Sequence, residues 1–262
     1  MNNKMKGESM FKNNFIIIKI NKKYLFIILI IILSSIIFIL KNYISTFKPQ
    51  TFLCSTVVID PGHGGIDPGT SYNKLLEKDI NLDVSLKIKK ILENKITNVI
   101  MTREKDISLE NKSKLNSSRY KKDLDARKNI INKNKANAFV SIHTNSNPDY
   151  TPDRGIIIFY YKNSYESKYL AEKIAKSINN NVYKKFLNSN IKTRLLPQNF
   201  YILRTTKSPG VLIEIGFITN YYDRKLLKNE KYKQQIAIAI SNGIIKYLNE
   251  LDNSKIQLVN SY

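Results

Sequence analysis

The chain has one cysteine, two histidines and no tryptophan in 262 residues. Cys54 therefore has no partner within the chain, which excludes an internal disulfide framework. Zinc sites built from four cysteines, or from two cysteines and two histidines, are excluded with it. Any imidazole chemistry rests on His63 and His143. They stand 80 positions apart, so the helical His-Glu-x-x-His motif is absent. Alanine is scarce, the first being Ala126, and acidic residues are few beside basic ones, 21 against 43, for a net charge of +22. The length admits one large domain or two small ones with an appendage, and is ample for a buried core.

The run Tyr24–Leu40 holds 17 residues without a charge, about 25 Å as a helix, which just spans a bilayer. Lys4, Lys6, Lys12, Lys19, Lys22 and Lys23 precede it, and only Lys41 and Lys48 follow closely. This bias predicts a cytoplasmic amino terminus and an exported remainder. A cleaved signal peptide is the competing reading, but it needs an Ala-x-Ala-type site, and no alanine stands there. The expected layout is a basic cytoplasmic segment at 1–23, a transmembrane signal anchor at 24–40, a linker at 41–54, a catalytic domain at 55–251 and a loose tail at 252–262.

Residues 49–262 carry 35 basic and 20 acidic side chains. Such a surface attracts polyanions in a salt-dependent way. Export makes anionic cell-envelope polymers, not nucleic acid, the expected partner, although a Lys- and Asn-rich composition explains the charge equally well as solvated surface.

Strand-like runs fall at Thr56–Asp60, Asn98–Thr102, Ala138–His143, Gly155–Tyr161, Phe200–Arg204 and Gly210–Ile215. Most are continuously apolar, as in strands covered on both faces. Helical stripes alternate with them: Ile80, Val84, Ile88; Leu170, Ile174, Ile178, Val182; and Tyr232, Ile236, Ile240, Ile244, Leu248. The expectation is a single three-layer α/β domain: a mostly parallel or mixed sheet of about six strands with helices on both faces. The polar stretch 104–122 reads as a surface loop or an insertion near the active face.

The first strand runs into Asp60-Pro61-Gly62-His63-Gly64-Gly65, and the third ends at His143-Thr144-Asn145. Carboxyl ends of strands in such sheets face the functional crevice, which puts both histidines on one side. Glu77 opens the first strong helix. Glu214 lies inside an apolar strand, where a charge is costly unless paired or metal-bound. Two imidazoles and a carboxylate make a catalytic zinc set, although each residue singly also fits a structural role.

The segments TVVIDPGHGGIDPGT, LLEKDINL, VIMTREKD, DLDARKNIINKNKANAFVSIHTNS and YILRTTKSPGVLIEIGFITN, in that order, resemble the motifs of the zinc-dependent N-acetylmuramoyl-L-alanine amidases over residues 56–250. LLEKD, VIMTREKD and the Pro-Gly before the last strand are similar to the sporulation-specific, CwlD-like cortex amidases. The resemblance implies one zinc ion held by His63, Glu77 and His143, with Glu214 as the catalytic carboxylate. It gives Asn145 and Arg204 as weaker substrate-orienting candidates. Asp60 and Asp67 stand as candidates to steady His63, and Arg103 and Arg127 as structural ion-pair partners. It further implies that peptidoglycan stem peptides are removed in the spore cortex. That step would be paired with a muramic-acid deacetylase to give muramic-δ-lactam for germination, on the forespore or mother-cell membrane. A helper lipoprotein is a further expected partner. A vegetative autolysin and a noncatalytic wall-binding scaffold are the alternatives.

Overall fold

The structure is a computed structural model describing residues 21–46, 53–150 and 152–259. It divides into two units, Met1–Gln50 and Thr51–Tyr262. The expected basic segment before residue 21, linker residues 47–52 and the last three residues of the tail lie outside the described residues.

In the first unit, α1 (Lys22–Thr46) is longer than the run of 17. Its stretch Lys22–Ile39 has a mean hydropathy of 2.3 and is long and apolar enough to cross a membrane. The hydroxyls of Ser34 and Ser35 both donate to the Ile31 carbonyl, so these polar groups are satisfied within the helix.

The second unit is built on β1 (Leu53–Pro61), β4 (Ile96–Met101), β5 (Ala138–Asn145), β6 (Ile157–Tyr160), β7 (Arg194–Pro197) and β8 (Gly210–Phe217). They form one sheet in the order β4-β1-β5-β8-β6-β7. All neighbours pair in parallel except β6 with β8, which is antiparallel. A hairpin of β2 (Ser71–Tyr72) and β3 (Leu75–Leu76) stands apart. Its turn residues Asn73 and Lys74 both have left-handed φ, as a two-residue primed turn requires.

The continuous apolar runs follow from burial on both faces. Val57 and Ile59 face α2 (Glu77–Leu92), α4 (Tyr165–Ile178) and α7 (Glu230–Val259), while Val58 faces α3 (Arg119–Lys133) and α5 (Tyr201–Thr205). Val140 and Phe139 divide in the same way on β5, and Val211 and Leu212 on β8. The sheet is switched at β1 and β5: the chain leaves β1 for β4 through α2 on one face, and reaches β5 from β4 through α3 on the other. A crevice opens between the carboxyl ends of β1 and β5 at such a point.

Three expectations are corrected. Residues 200–204 are not a strand: Tyr201–Thr205 is the short helix α5, which buries Ile202 and Leu203 against the α3 face. Short apolar runs do not separate strand from helix by periodicity. The polar stretch ending at residue 122 already contains the start of α3, whose buried face carries Asp125, Ala126, Arg127 and Ile131 and so shows little apolar stripe. The expected tail after 252 instead continues α7 to Val259. The strand β7, the hairpin and the helix α6 (Tyr221–Leu227) carried no apolar run of their own.

Candidate metal centre

His63 follows β1, His143 ends β5, and Glu77 is the first residue of α2, so the three come from separate elements around the crevice. One donor atom from each lies within 4.8 Å of the others. Glu77 Oε1 is 3.2 Å from His63 Nε2 and 3.0 Å from His143 Nδ1. The two rings meet edge to face with centroids 5.0 Å apart.

Two of the three donors are held from behind. Asp67 Oδ2 lies 2.8 Å from His63 Nδ1, and a carboxylate can only accept, so Nδ1 carries a proton and Nε2 is the nitrogen turned toward Glu77 and available to an ion once deprotonated. Glu77 Oε2 accepts from the Thr70 backbone N–H at 2.9 Å. Its Oε1 accepts from the Thr144 N–H at 3.0 Å and from Asn81 Nδ2 at 3.2 Å. Asn81 stands four residues after Glu77 on α2, a helical spacing through which the sequence could have revealed it.

His63 has a left-handed φ of 61°, a strain of about 1–3 kcal/mol for a non-glycine residue. Two buried arginines hold the turn. Arg127 Nη2 donates to the His63 carbonyl at 2.6 Å and Nη1 to the Pro61 carbonyl at 2.7 Å; Arg103 Nε donates to Pro61 O at 3.0 Å and Nη2 to Gly62 O at 3.0 Å. Hydrogen bonds to charged donors contribute roughly 1.5–3 kcal/mol each, enough together to outweigh the strain. Arg127 also pairs with Asp60 and Asp123, as expected. Arg103 bonds backbone carbonyls, and the expected ion-pair role gives way to that one.

Asp60 does not meet the His63 ring. It is buried under the turn, accepting from Thr102 at 2.6 Å, Ser141 at 2.7 Å and Arg127 at 2.7 Å, and it reaches His63 only through Arg127. Asn145 Oδ1 accepts from the Ser146 N–H at 2.7 Å. Arg204 is exposed on α5, and the cleft wall is supplied instead by Phe200, Tyr201 and Ile202. The helix in place of a strand is the reason.

Glu214 lies opposite His143 in the β5/β8 register and lines the cavity that also exposes His63 and His143. Its Oε2 is shielded from solvent and has no hydrogen-bond partner. Burial, helped by the Glu77 charge, pushes its carboxyl up to about 7 against the opposing pull of His143 and His63. Burial also disfavours charge on Glu77, but hydrogen bonds and charge from His143 and His63 prevail and hold it well below the usual range. For His63 burial acts downward, and Glu77 with Asp67 overcomes it to raise the imidazole to about 9.

Two imidazole nitrogens and one carboxylate oxygen, with a partnerless carboxylate alongside, fit a catalytic divalent ion with an open position. Below pH 9 an incoming ion must displace the His63 proton. Apparent affinity should therefore rise about tenfold per pH unit up to that point, readable by zinc titration against a competing chelator. A pH-independent affinity would remove His63 from the set.

Gly62 is required by close approach: a Cβ there would lie 2.3 Å from His143 Nε2. Gly62→Ala should shift the ring and lower metal affinity about 10- to 100-fold, the range found when groups that orient ligands are changed. Metal titration and a thermal melt read this; an unchanged affinity would show that the ring does not need its present place.

Residues 57–246 match the N-acetylmuramoyl-L-alanine amidase family. The chain is a member of that family. The amidase is 36% identical to the germination-specific N-acetylmuramoyl-L-alanine amidase of Bacillus subtilis over 208 residues, 78% of this chain and 85% of the relative. It is 33% identical to the probable cell wall amidase LytH of Staphylococcus epidermidis over 197 residues, covering 73% of this chain and 58% of that protein. Among solved structures, the CwlD amidase of Clostridioides difficile, in complex with the GerS lipoprotein, is 39% identical with a TM-score of 0.65, over 74% of this chain and 98% of the other. The catalytic domain of the amidase CwlV from Bacillus (Paenibacillus) polymyxa gives 31% and 0.62 over 74% and 98%. The amidase is thus a hydrolase of the bond between N-acetylmuramic acid and L-alanine in peptidoglycan.

Proposed function

We propose that the amidase is zinc-dependent and strips stem peptides from spore-cortex peptidoglycan, a step toward muramic-δ-lactam and germination. The observation that carries the zinc reading is the convergence of His63, Glu77 and His143 beside Glu214, whose shielded Oε2 has no hydrogen-bond partner. The germination-specific relative supports the cortex setting.

His63 Nε2, His143 Nδ1 and Glu77 Oε1 would hold the ion. Bound zinc supplies Lewis acidity toward the amide carbonyl and toward water. Glu214 is the proton carrier: its carboxylate, which lines the cavity beside both histidines, takes a proton from the attacking water and returns it to the departing alanine nitrogen. A carboxyl poised near 7 suits both duties. Asp67 keeps the His63 proton on Nδ1, away from the ion, and the arginine-held turn fixes the ring before substrate arrives.

Helix α1 would anchor the chain, with the second unit outside the cytoplasm, on the forespore or mother-cell membrane. A helper lipoprotein is proposed as a partner, by analogy with the CwlD amidase in complex with GerS. A muramic-acid deacetylase would act on the product, because only a muramic acid relieved of its peptide has a lactoyl carboxyl free to close a lactam.

Spores lacking the protein should contain no muramic-δ-lactam by mass analysis of their glycan fragments. The staphylococcal relatives, probable cell wall amidases, favour a second reading, wall turnover in growing cells. Muramic-δ-lactam at parental levels would select that reading and leave the amidase chemistry standing.

A further inference from the structure

Two cavities adjoin at His63 and share Asp67, Tyr120 and Asp123, and the one that reaches Glu214 has the larger aromatic and aliphatic wall. One, of about 270 Å³, reaches Glu214 and both histidines, and its upper walls are Tyr120, Leu124, Phe200, Ile202 and Leu212. The other, of about 440 Å³, is lined by charged groups, among them Asp67, Glu110, Arg119 and Asp123. Tyr120, in the first turn of α3, is 66% exposed and borders both. Phe200, before α5, is 37% exposed and is braced by an edge-on contact with Phe159 at 5.1 Å. Phe159 packs against the core of the α3 face.

The bond cut by this family has a sugar on its acyl side and a peptide on its amine side. A pyranose ring offers a broad C–H face that an aromatic ring covers well. The stem peptide offers amides and carboxylates, and Arg119 lines the second lobe, where its guanidinium can pair with a carboxylate. We propose that Tyr120 and Phe200 form a sugar subsite that holds the N-acetylmuramic acid ring on the acyl side, the peptide lying in the lobe with Arg119. The proposal rests on the amidase activity and adds the side of the substrate that each lobe receives. Tyr120, standing between them, sets the preference for a ring-bearing substrate.

The test uses the full chain, zinc-loaded in detergent, with two substrates: a disaccharide muropeptide, and the same peptide acylated with D-lactate alone. Tyr120→Ala should lower the ratio of kcat/KM for the ring-bearing over the ring-less substrate by about tenfold, chiefly through KM. Tyr120→Phe should keep the ratio, because the ring face and not the hydroxyl makes the contact. Phe200→Ala should act in the same direction, with zinc content unchanged in all three. An equal fall on both substrates would place Tyr120 against the peptide and overturn the proposal, as would no change in the ratio. Failure of the unsubstituted, zinc-loaded chain to cleave either substrate is a separate result, which would bring down the amidase activity and the subsite with it.

Discussion

Glu214→Gln should lower amide hydrolysis by about 10²- to 10⁴-fold, the range supplied by a positioned proton carrier, while zinc content stays at one per chain. The amide fills the same space beside His143 but cannot accept and return a proton. In the metal-free protein the same substitution should act with opposite sign on stability. Burial raises the Glu214 carboxyl from 4.5 to about 7, so its neutral form suits the fold. The full stability is present below pH 4.5 and is lost as pH rises through 7, by about 3 kcal/mol in the limit. Glu214→Gln should therefore melt above the parent at pH 8 and level with it near pH 4. Parental hydrolysis by Glu214→Gln at full zinc content would end the assignment. Loss of activity without the inverted stability would show that Oε2 is not desolvated in the free protein.

The second large effect is expected at Glu77. Its carboxylate faces both histidines and accepts from Thr70, Thr144 and Asn81. Glu77→Gln keeps the shape but removes the charge and turns an N–H₂ toward donors or toward the ion. Zinc should be lost from the chain at micromolar free metal, and hydrolysis should fall roughly 10³-fold or more, the several kcal/mol that a Lewis acid contributes. Native mass spectrometry and kinetics in zinc buffers read both. Stoichiometric zinc held as tightly as in the parent would exclude Glu77 from the set.

The two histidines and Glu214 were legible because chemistry-bearing residues stand out at the ends of apolar strands, and the crevice rule for open sheets puts them on one side. Glu77 was legible as a helix start. The groups that prepare them were less so. The stretch 104–122 read as a loop because the start of α3 at Arg119 carries no apolar stripe, and the helix then buries Arg127, which bonds the His63 and Pro61 carbonyls. Arg103 was expected to pair with an acid, but backbone carbonyls turned inward by the β1 turn claim it. The cleft wall at Phe200 depended on residues 201–205 being helical, which a five-residue run cannot announce.

The sequence by itself determined most of the strands buried on both faces of the sheet, because short continuous apolar runs such as those of β1, β5 and β8 need cover on each side. It also determined that any imidazole ligands are His63 and His143, because it contains only two imidazoles. The tertiary structure decided which nitrogen of each ring faces Glu77, that Asp67 and not Asp60 touches His63, and that Tyr120 comes to the cleft. These depend on angles and distances between elements distant in the chain, which local propensity and periodicity do not encode.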